Sequence, residues 1–312
     1  MRKKVSVVVV SYNGERFLPH LLNSLKSQSY PLEEIILVDN ASQDNSLQIL
    51  KKYFPHVKVL KNSYNMLYGP AMNRGISLSR GDYLLCLNHD LYLDKYFVEY
   101  LLKAMDTHPR IGMACGKVLS WDGQYIDSCG QTLSLSRKPV DIGFGERDRE
   151  KFDRKRYVWG PGGVAPLFKR VMLEEIKEGE NYFDEELGIF YEDLDLAWRA
   201  SRKGWRCIFE PKAIAYHFRG GATLGMNYPR YRRPLFLGLP YSLKERVVIN
   251  RYYTLVKNEE LINLFLYSPF IFSYDLKLWL VLFAESPWGS LKVLYKTWKS
   301  IKNAFRKRKI YG

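Results

Sequence analysis

Apolar residues run almost unbroken through "VSVVVV" (5–10) and return in "EIILVDN" (34–40), "VKVL" (57–60) and "YLLCLN" (83–88). Runs of this kind, rich in β-branched residues, predict strands covered on both faces, as in the interior of a parallel sheet. Between them the spacing becomes helical. Leu18, Leu21, Leu22 and Leu25 share one face and predict a helix over 15–27, closed before Pro31. "SLQILKKYF" predicts a second helix and residues 71–78 a third. The β-α-β-α-β-α-β alternation predicts a doubly wound α/β fold with a mostly parallel central sheet. Ligands of such sheets bind beyond the carboxyl ends of the strands. Here those ends carry Ser11-Tyr12-Asn13, Asp39-Asn40 and Asn88-His89-Asp90.

The second half is less regular. "IGMACGKVLS" and "YIDSCGQTLS" read as strands, "GERDREKFDRKR" (145–156) as a charged, solvated loop, and "YVWGPGGVAPLFKR" as strand segments around a glycine-rich bend. "YEDLDLAWRASRKG" (191–204) predicts a helix closed by Gly204. "WRCIFEPKAIAYHF" predicts short strands ending near His217. From Leu261 the chain turns rich in leucine and aromatics, but Pro269, Asp275 and Lys277 interrupt it, so it makes no clean membrane span. The expected division is an α/β domain over 1–225, with a first half to 95 and a second from 96, then a helical extension over 226–312.

Charge sharpens the picture at one end. Of a formal +15, eight positive charges fall between Lys292 and Lys309, where there is no acid. A basic helix with Val293, Leu294, Trp298, Ile301 and Phe305 on its apolar side suits an anionic membrane surface. Nucleic-acid binding and a merely solvated tail are the competing readings, and the aromatic-rich segment before the tail favours membrane. The four cysteines are scattered without a CxxC pair, which argues against a zinc knuckle or a disulfide scaffold. "MRKKVSVVVVSYNG" lacks the length and the cleavage site of a signal peptide. No G-x-x-x-x-G-K-[ST] occurs, which excludes a P-loop.

Each candidate residue has two readings. Asp39 either accepts from a base or ribose, or caps the next turn. "NHD" (88–90) is either a polar turn or the holder of a hard divalent cation, for which Asp90 is the carboxylate. "GPGGVA" (160–165) is a packing bend or a place where Gly162 and Gly163 leave room for a sugar. Glu192 and Asp193 open a helix whose dipole favours acids, or Asp193 is a general base. His217 is structural or a ligand.

In this order these segments resemble glycosyltransferase family 2, the inverting enzymes of GT-A fold. The resemblance runs from "VSVVVVSYNGERFLPHLLNSLKSQSYPLEEIILVDNASQDNS" through "NMLYGPAMNRGISLSRGDYLLCLNHD" to "FDEELGIFYEDLDLAWRASRKGWRCIFEPKAIAYHFRGGAT", over residues 4 to 225. The branch it is most similar to contains rhamnosyltransferases of surface-polysaccharide assembly. The resemblance implies that Asp39 contacts the nucleotide base beside Ser11, Tyr12 and Asn13. It places Asn73, Arg80, Asn88 and His89 on the donor side, and Asp90 and His217 on a divalent metal, Mg2+ or Mn2+. It makes Asp193 the catalytic base and sets Trp159, Gly162, Gly163 and Glu192 on the acceptor side.

Two departures stand out: Asn88 replaces the first acid of a strict DXD motif, and His89 replaces the proline common in this branch. The Q-x-x-R-W signature of processive synthases is absent, which implies transfer of a single sugar. The implied partners are a nucleotide-sugar donor and a glycan or lipid-linked acceptor, with no nucleic acid. The implied location is cytoplasmic, peripheral on the inner face of the membrane. A nucleotidyltransferase of similar fold and a non-catalytic membrane-surface binding protein are the alternatives.

Overall fold

The computed structural model describes residues 2–218 and 235–311; the expected domain boundary at 225/226 lies outside the described residues. The first half follows the predicted alternation: β1 (Val5–Ser11), α1 (Leu18–Lys26), β2 (Glu34–Asp39), α2 (Ser46–Tyr53), β3 (Lys58–Lys61), α3 (Tyr68–Leu78) and β4 (Tyr83–Asn88). Helix α1 begins later than its leucine pattern suggests. Pro19 in its first turn sets the start, and Glu15 is instead engaged with the Asp44–Asn45 loop.

The second half adds β5 (Leu91–Leu93), α4 (Phe97–Met105), β6 (Ile111–Ser120), β7 (Ile126–Ser128), β8 (Gln131–Leu133), β9 (Pro139–Asp141), β10 (Arg156–Val158), β11 (Leu167–Lys169), α5 (Arg170–Ile176), α6 (Glu192–Arg202) and β12 (Arg206–His217). The short strands expected after Trp205 are one strand of twelve residues. It runs beside β6 and absorbs Pro211 in an irregularity between Glu210 and Ile214, as a strand proline requires.

The main sheet has the order β10-β12-β6-β11-β4-β1-β2-β3. β3, β2, β1 and β4 are parallel, and so are β6 and β12. β11 enters antiparallel between β4 and β6. From β1 the chain steps to β2 and β3 on one side, then returns to place β4 on the other. That reversal opens the crevice where ligands bind in such folds.

Alternate residues of each central strand enter two separate cores. Val5, Val7, Val9, Leu85 and Leu87 pack under α1 and α4. Val8, Val10, Leu84 and Cys86 pack under α3 and α6. The unbroken apolar runs follow from this two-sided burial.

Helices α7 (Leu235–Gly238), α8 (Tyr241–Asn258), α9 (Leu261–Leu266), α10 (Ser268–Glu285) and α11 (Pro287–Tyr311) complete the described chain. Tyr253 and Leu255 of α8 and Ala304 of α11 share a core with Leu194 and Trp198 of α6. None of these helices is long and apolar enough to cross a membrane.

Candidate active site

The parallel register brings the ends of three strands level. Ser11 pairs with Asp39, and Val10 with Asn88. Asp39 is buried, with Oδ2 reached by the Ser42 amide at 3.4 Å. Its Oδ1 and the Ser11 hydroxyl are buried without a hydrogen-bond partner. Buried polar atoms are nearly always paired, and exceptions call for a reason. Two such atoms on adjacent strand ends suit a ligand with its own donors and acceptors.

The loop beyond β1 is held from the β2 side. The Asn13 amide N–H donates to Ser42 Oγ at 2.9 Å, and its side-chain oxygen accepts from Gln43 N at 2.8 Å. Tyr12 is half-buried beside it. His89 is buried against Phe17, with Nε2 lacking a partner. Gly14 passes so close to Ser11 and His89 that a Cβ there would lie 2.5 Å from Ser11 Oγ and 3.0 Å from His89 Cδ2.

Asp90 and His217 are far apart in sequence and meet in space. β12 pairs with β5 directly after the "NHD" turn, setting His217 opposite Leu91. His217 Nε2 stands 3.3 Å from Asp90 Oδ1, and Nδ1 stands 2.9 Å from Asp127 Oδ2. All three side chains are buried. Burial pushes the Asp90 carboxyl up, but His217 outweighs it and holds the group below the ordinary range. Burial likewise pushes His217 down, but Asp90 and Asp127 carry it up to about 9. Asp127 carries no local signal in the sequence. It sits in an ordinary strand, and only the tertiary fold sets it behind the imidazole.

This donor set fits a divalent cation. One carboxylate oxygen and one ring nitrogen lie within the span of two ligands of a single ion. The second ring nitrogen is fixed by a buried carboxylate, the usual partner behind a ligating histidine.

Asp193 stands at the start of α6, under the glycine-rich bend. Oδ2 accepts from Gln131 Nε2 at 3.1 Å, and a Cβ added to Gly163 would lie 3.5 Å from the same oxygen. Burial, with the charge of Asp141 nearby, raises the Asp193 carboxyl above its ordinary range; hydrogen bonds from Leu194 and Gln131 oppose the shift. Glu192 is buried with Oε2 unpartnered, and burial followed by the charge of Asp193 raises it further. Gly162 holds φ +72° beside Asp141, Ser128 and Gln131. The Trp159 indole meets Trp198 edge-on and its Nε1 is buried without a partner. Gln131 and Asp141, also missed in the sequence, come from β8 and β9, a hairpin folded over the bend.

Two residues expected on the donor side stand elsewhere. Arg80 precedes β4, where its amide N–H donates to Glu34 Oε1 at the amino edge of the sheet. The six residues of β4 put roughly 20 Å between that edge and the site. Asn73 has its amide occupied: Nδ2 donates to Phe183 O at 2.8 Å, while Oδ1 accepts from Tyr182 N at 3.1 Å and Phe183 N at 2.8 Å. It is a strut between α3 and the segment leading to α6.

Glu178, Asp184 and Asp195 form a second acidic cluster, with carboxylate oxygens within 4.8 Å of one another. Its charges are already met. Lys257 reaches all three acids, Arg199 reaches Glu178 and Asp195, and Lys307 reaches Glu178 and Asp184. The cluster braces α6 against α8 and α11.

Known proteins are similar to this chain in sequence and in fold. Residues 6–163, just over half of the chain, match the family described as Glycosyl transferase family 2. The N-acetylglucosaminyl-diphospho-decaprenol L-rhamnosyltransferase of Mycobacterium tuberculosis is 25% identical over 245 residues, covering 72% of this chain and 78% of that protein. The solved structure of GalNAc-T7 with UDP, GalNAc and Mn2+ superposes with a TM-score of 0.61 at 16% identity, over 82% of this chain and 48% of the other. The mannosyltransferase PcManGT from Pyrobaculum calidifontis, with GDP-Man and Mn2+, gives 0.55 at 14% identity, over 99% of this chain and 87% of its own. Both structures are glycosyltransferases of GT-A fold, and the shared architecture is the expected one. The sequence match covers more than half of the chain, including the ends of β1, β2 and β4, and on that ground the chain belongs to glycosyl transferase family 2.

Proposed function

We propose that this glycosyltransferase moves a single sugar, with inversion, from a nucleoside diphosphate sugar to a glycan or lipid-linked acceptor in cell-surface polysaccharide assembly. The observation that carries the reading is the pairing of two carboxylate sites on one rim. Asp90 is paired with His217, whose other ring nitrogen is held by Asp127, and Asp193 is left with a raised pKa beneath Gly163.

Asp39 Oδ1 and Ser11 Oγ receive the nucleoside, with Tyr12, Asn13, Asn88 and His89 around it. Asp90 and His217 would hold Mg2+ or Mn2+, which when bound would supply positive charge against the departing diphosphate. Asp193 Oδ2 accepts the proton of the acceptor hydroxyl. The acceptor oxygen bonds to the anomeric carbon as the bond to the diphosphate oxygen breaks, and the nucleoside diphosphate leaves with that electron pair. Gln131 orients the Asp193 carboxylate. Gly162 and Gly163 keep the acceptor's approach open, with Glu192 and Trp159 at its margin. The Mycobacterium tuberculosis relative supports a rhamnose donor and a polyprenyl diphosphate-linked acceptor. The bound ligands of the structural neighbours support a UDP- or GDP-sugar of hexose type equally well.

Peripheral docking on the inner membrane face belongs to the same reading. Every residue of α9 is at least partly exposed, with Leu261 70% and Phe265 76% exposed. The basic tail forms α11 and is not free. Val293 and Ala304 are buried, and Lys307 and Arg308 bind Asp184 and the Val256 carbonyl. Lys292, Lys299 and Lys302 face solvent, Lys302 over the exposed Trp298 ring, a composition suited to anionic headgroups.

The deciding experiment is a thermal-shift and turnover screen of dTDP-rhamnose, UDP-hexoses and GDP-mannose with Mn2+ or Mg2+. Stabilisation and metal-dependent transfer by one donor class are expected. No response to any nucleotide sugar would refute the reading.

A further inference from the structure

The residues just before the Glu192–Asp193 pair are strained. Gly188 has φ +64°, and two non-glycine residues in succession, Phe190 and Tyr191, have φ +69° and +70°. L-residues rarely enter this region. Such a pair persists only where its surroundings over-determine it, and this strain sits next to the proposed base.

The surroundings are supplied from outside the catalytic half. Asn250 of α8 is 3% exposed. Its side-chain nitrogen lies 2.7 Å from Leu187 O, 2.9 Å from Ile189 O and 2.9 Å from Phe190 O. The remaining carbonyl, Gly188 O, accepts from Gly69 N at 2.8 Å. Four successive carbonyls are thus held, three of them sharing the two N–H groups of one amide. The requirement is for donors only, so an aspartate of the same shape would set its own oxygens against three carbonyls. The neighbouring Arg251 engages Asp275 and, at 2.8 Å, the Ser136 carbonyl.

We propose that Asn250 is a positioning residue of the active site: it holds the Leu187–Tyr191 turn in its strained form and so sets where the carboxylate of Asp193 stands. The inference rests on the reading of Asp193 as the base. It makes α8 part of the catalytic apparatus, beyond any service to a membrane. The helix is fastened independently of Asn250. Lys257 reaches Asp195 and Asp184, Asn258 Nδ2 donates to Asp195 Oδ1 at 2.7 Å, and Tyr253 OH donates to Asp184 Oδ2 at 2.8 Å. Removing Asn250 therefore frees the turn while α8 stays docked.

The test uses the full chain with Asn250→Ala and Asn250→Ser, the latter keeping one donor. Hydrogen-exchange mass spectrometry should show amides in the 187–193 segment exchanging about tenfold faster or more in the alanine variant, with an intermediate effect for serine. Transfer should lose about 10–100-fold in kcat, the size expected of a base displaced by about an ångström. Donor KM should stay within about twofold, because the nucleotide contacts are elsewhere. Unchanged exchange in this segment overturns the proposal. So does faster exchange with unchanged kcat, or a loss of kcat matched by equal losses of donor binding and melting temperature. If the alanine variant does not fold, the serine variant decides by the same criteria. The two levels separate cleanly: wild-type protein that transfers no sugar sinks the base assignment, whereas the exchange result judges Asn250 on its own.

Discussion

Lys257→Met tests the brace that joins the C-terminal helices to α6. Lys257 Nζ lies 2.7 Å from Glu178 Oε1, 2.7 Å from Asp184 Oδ2 and 2.9 Å from Asp195 Oδ1, with its side chain 3% exposed. Three buried acids here face three bases, the others being Arg199 and Lys307. Methionine keeps much of the volume and removes one positive charge, leaving a buried carboxylate uncompensated. Breaking a buried network in this way costs about 3–5 kcal/mol, unlike replacing every partner with apolar groups. For a chain of this length that is a fall in melting temperature of roughly 5–8 °C.

The loss should depend on pH with a definite sign. Burial pushes Asp184 up, but Lys257 and Lys307 overcome it and hold the folded group below its ordinary 3.8. Its contribution is therefore present above about pH 4 and disappears as pH falls through the lower folded value. Asp195 is lowered in the same direction, Lys257 again opposing burial. The gap between wild type and Lys257→Met should be full at pH 7 and shrink below about pH 4. Urea denaturation at several pH values measures it. Adding Asp195→Asn to Lys257→Met should cost less than the two single losses together, because the pair is coupled. A variant as stable as wild type at pH 7, or strictly additive losses, would refute the account of a charge-matched brace.

Asp193→Asn should lower kcat by about a thousandfold or more while donor binding, read by calorimetry, stays near wild type. Gln131→Leu removes a hydrogen bond that lowers the raised Asp193 carboxyl; the acid limb of its kcat–pH profile should move to higher pH, and an unmoved limb would detach Gln131 from the base. Asp127→Asn should weaken Mn2+ binding by about 10–100-fold in direct titration, since Asp127 fixes the far nitrogen of His217. Leu261→Ser with Phe265→Ser should abolish flotation with vesicles containing anionic lipid; unchanged flotation would exclude α9 as the membrane face. Truncation at 290 is a poorer experiment, because it also strips Ala304 and Lys307 from the core and the brace.

The outcomes for individual residues follow how local their signals are. β1, β2 and β4 were legible because two-sided burial writes an unbroken apolar run, and Asp39 and Asp90 because each ends such a run. Glu192 and Asp193 were legible as an acidic helix start. Arg80 and Asn73 were placed by resemblance, and neither carries a local signal. Arg80 proves to lie at the other edge of the sheet, and Asn73 to be occupied with the Tyr182–Phe183 backbone.

The sequence by itself determined the alternating α/β architecture, the place of Asp39 and Asp90 at or just beyond strand ends, and that of Asp193 in the first turn of a helix. These depend on periodicity and on residues adjacent in the chain. Only the tertiary structure decided that Asp127 stands behind His217, that Gln131 touches Asp193, that β11 runs antiparallel through the sheet, and that Asn250 holds the turn before α6. Each of these joins elements separated by many residues. Asp, Gln and Asn at such positions look like ordinary polar side chains until long-range packing supplies the partner and excludes the water that would otherwise satisfy them.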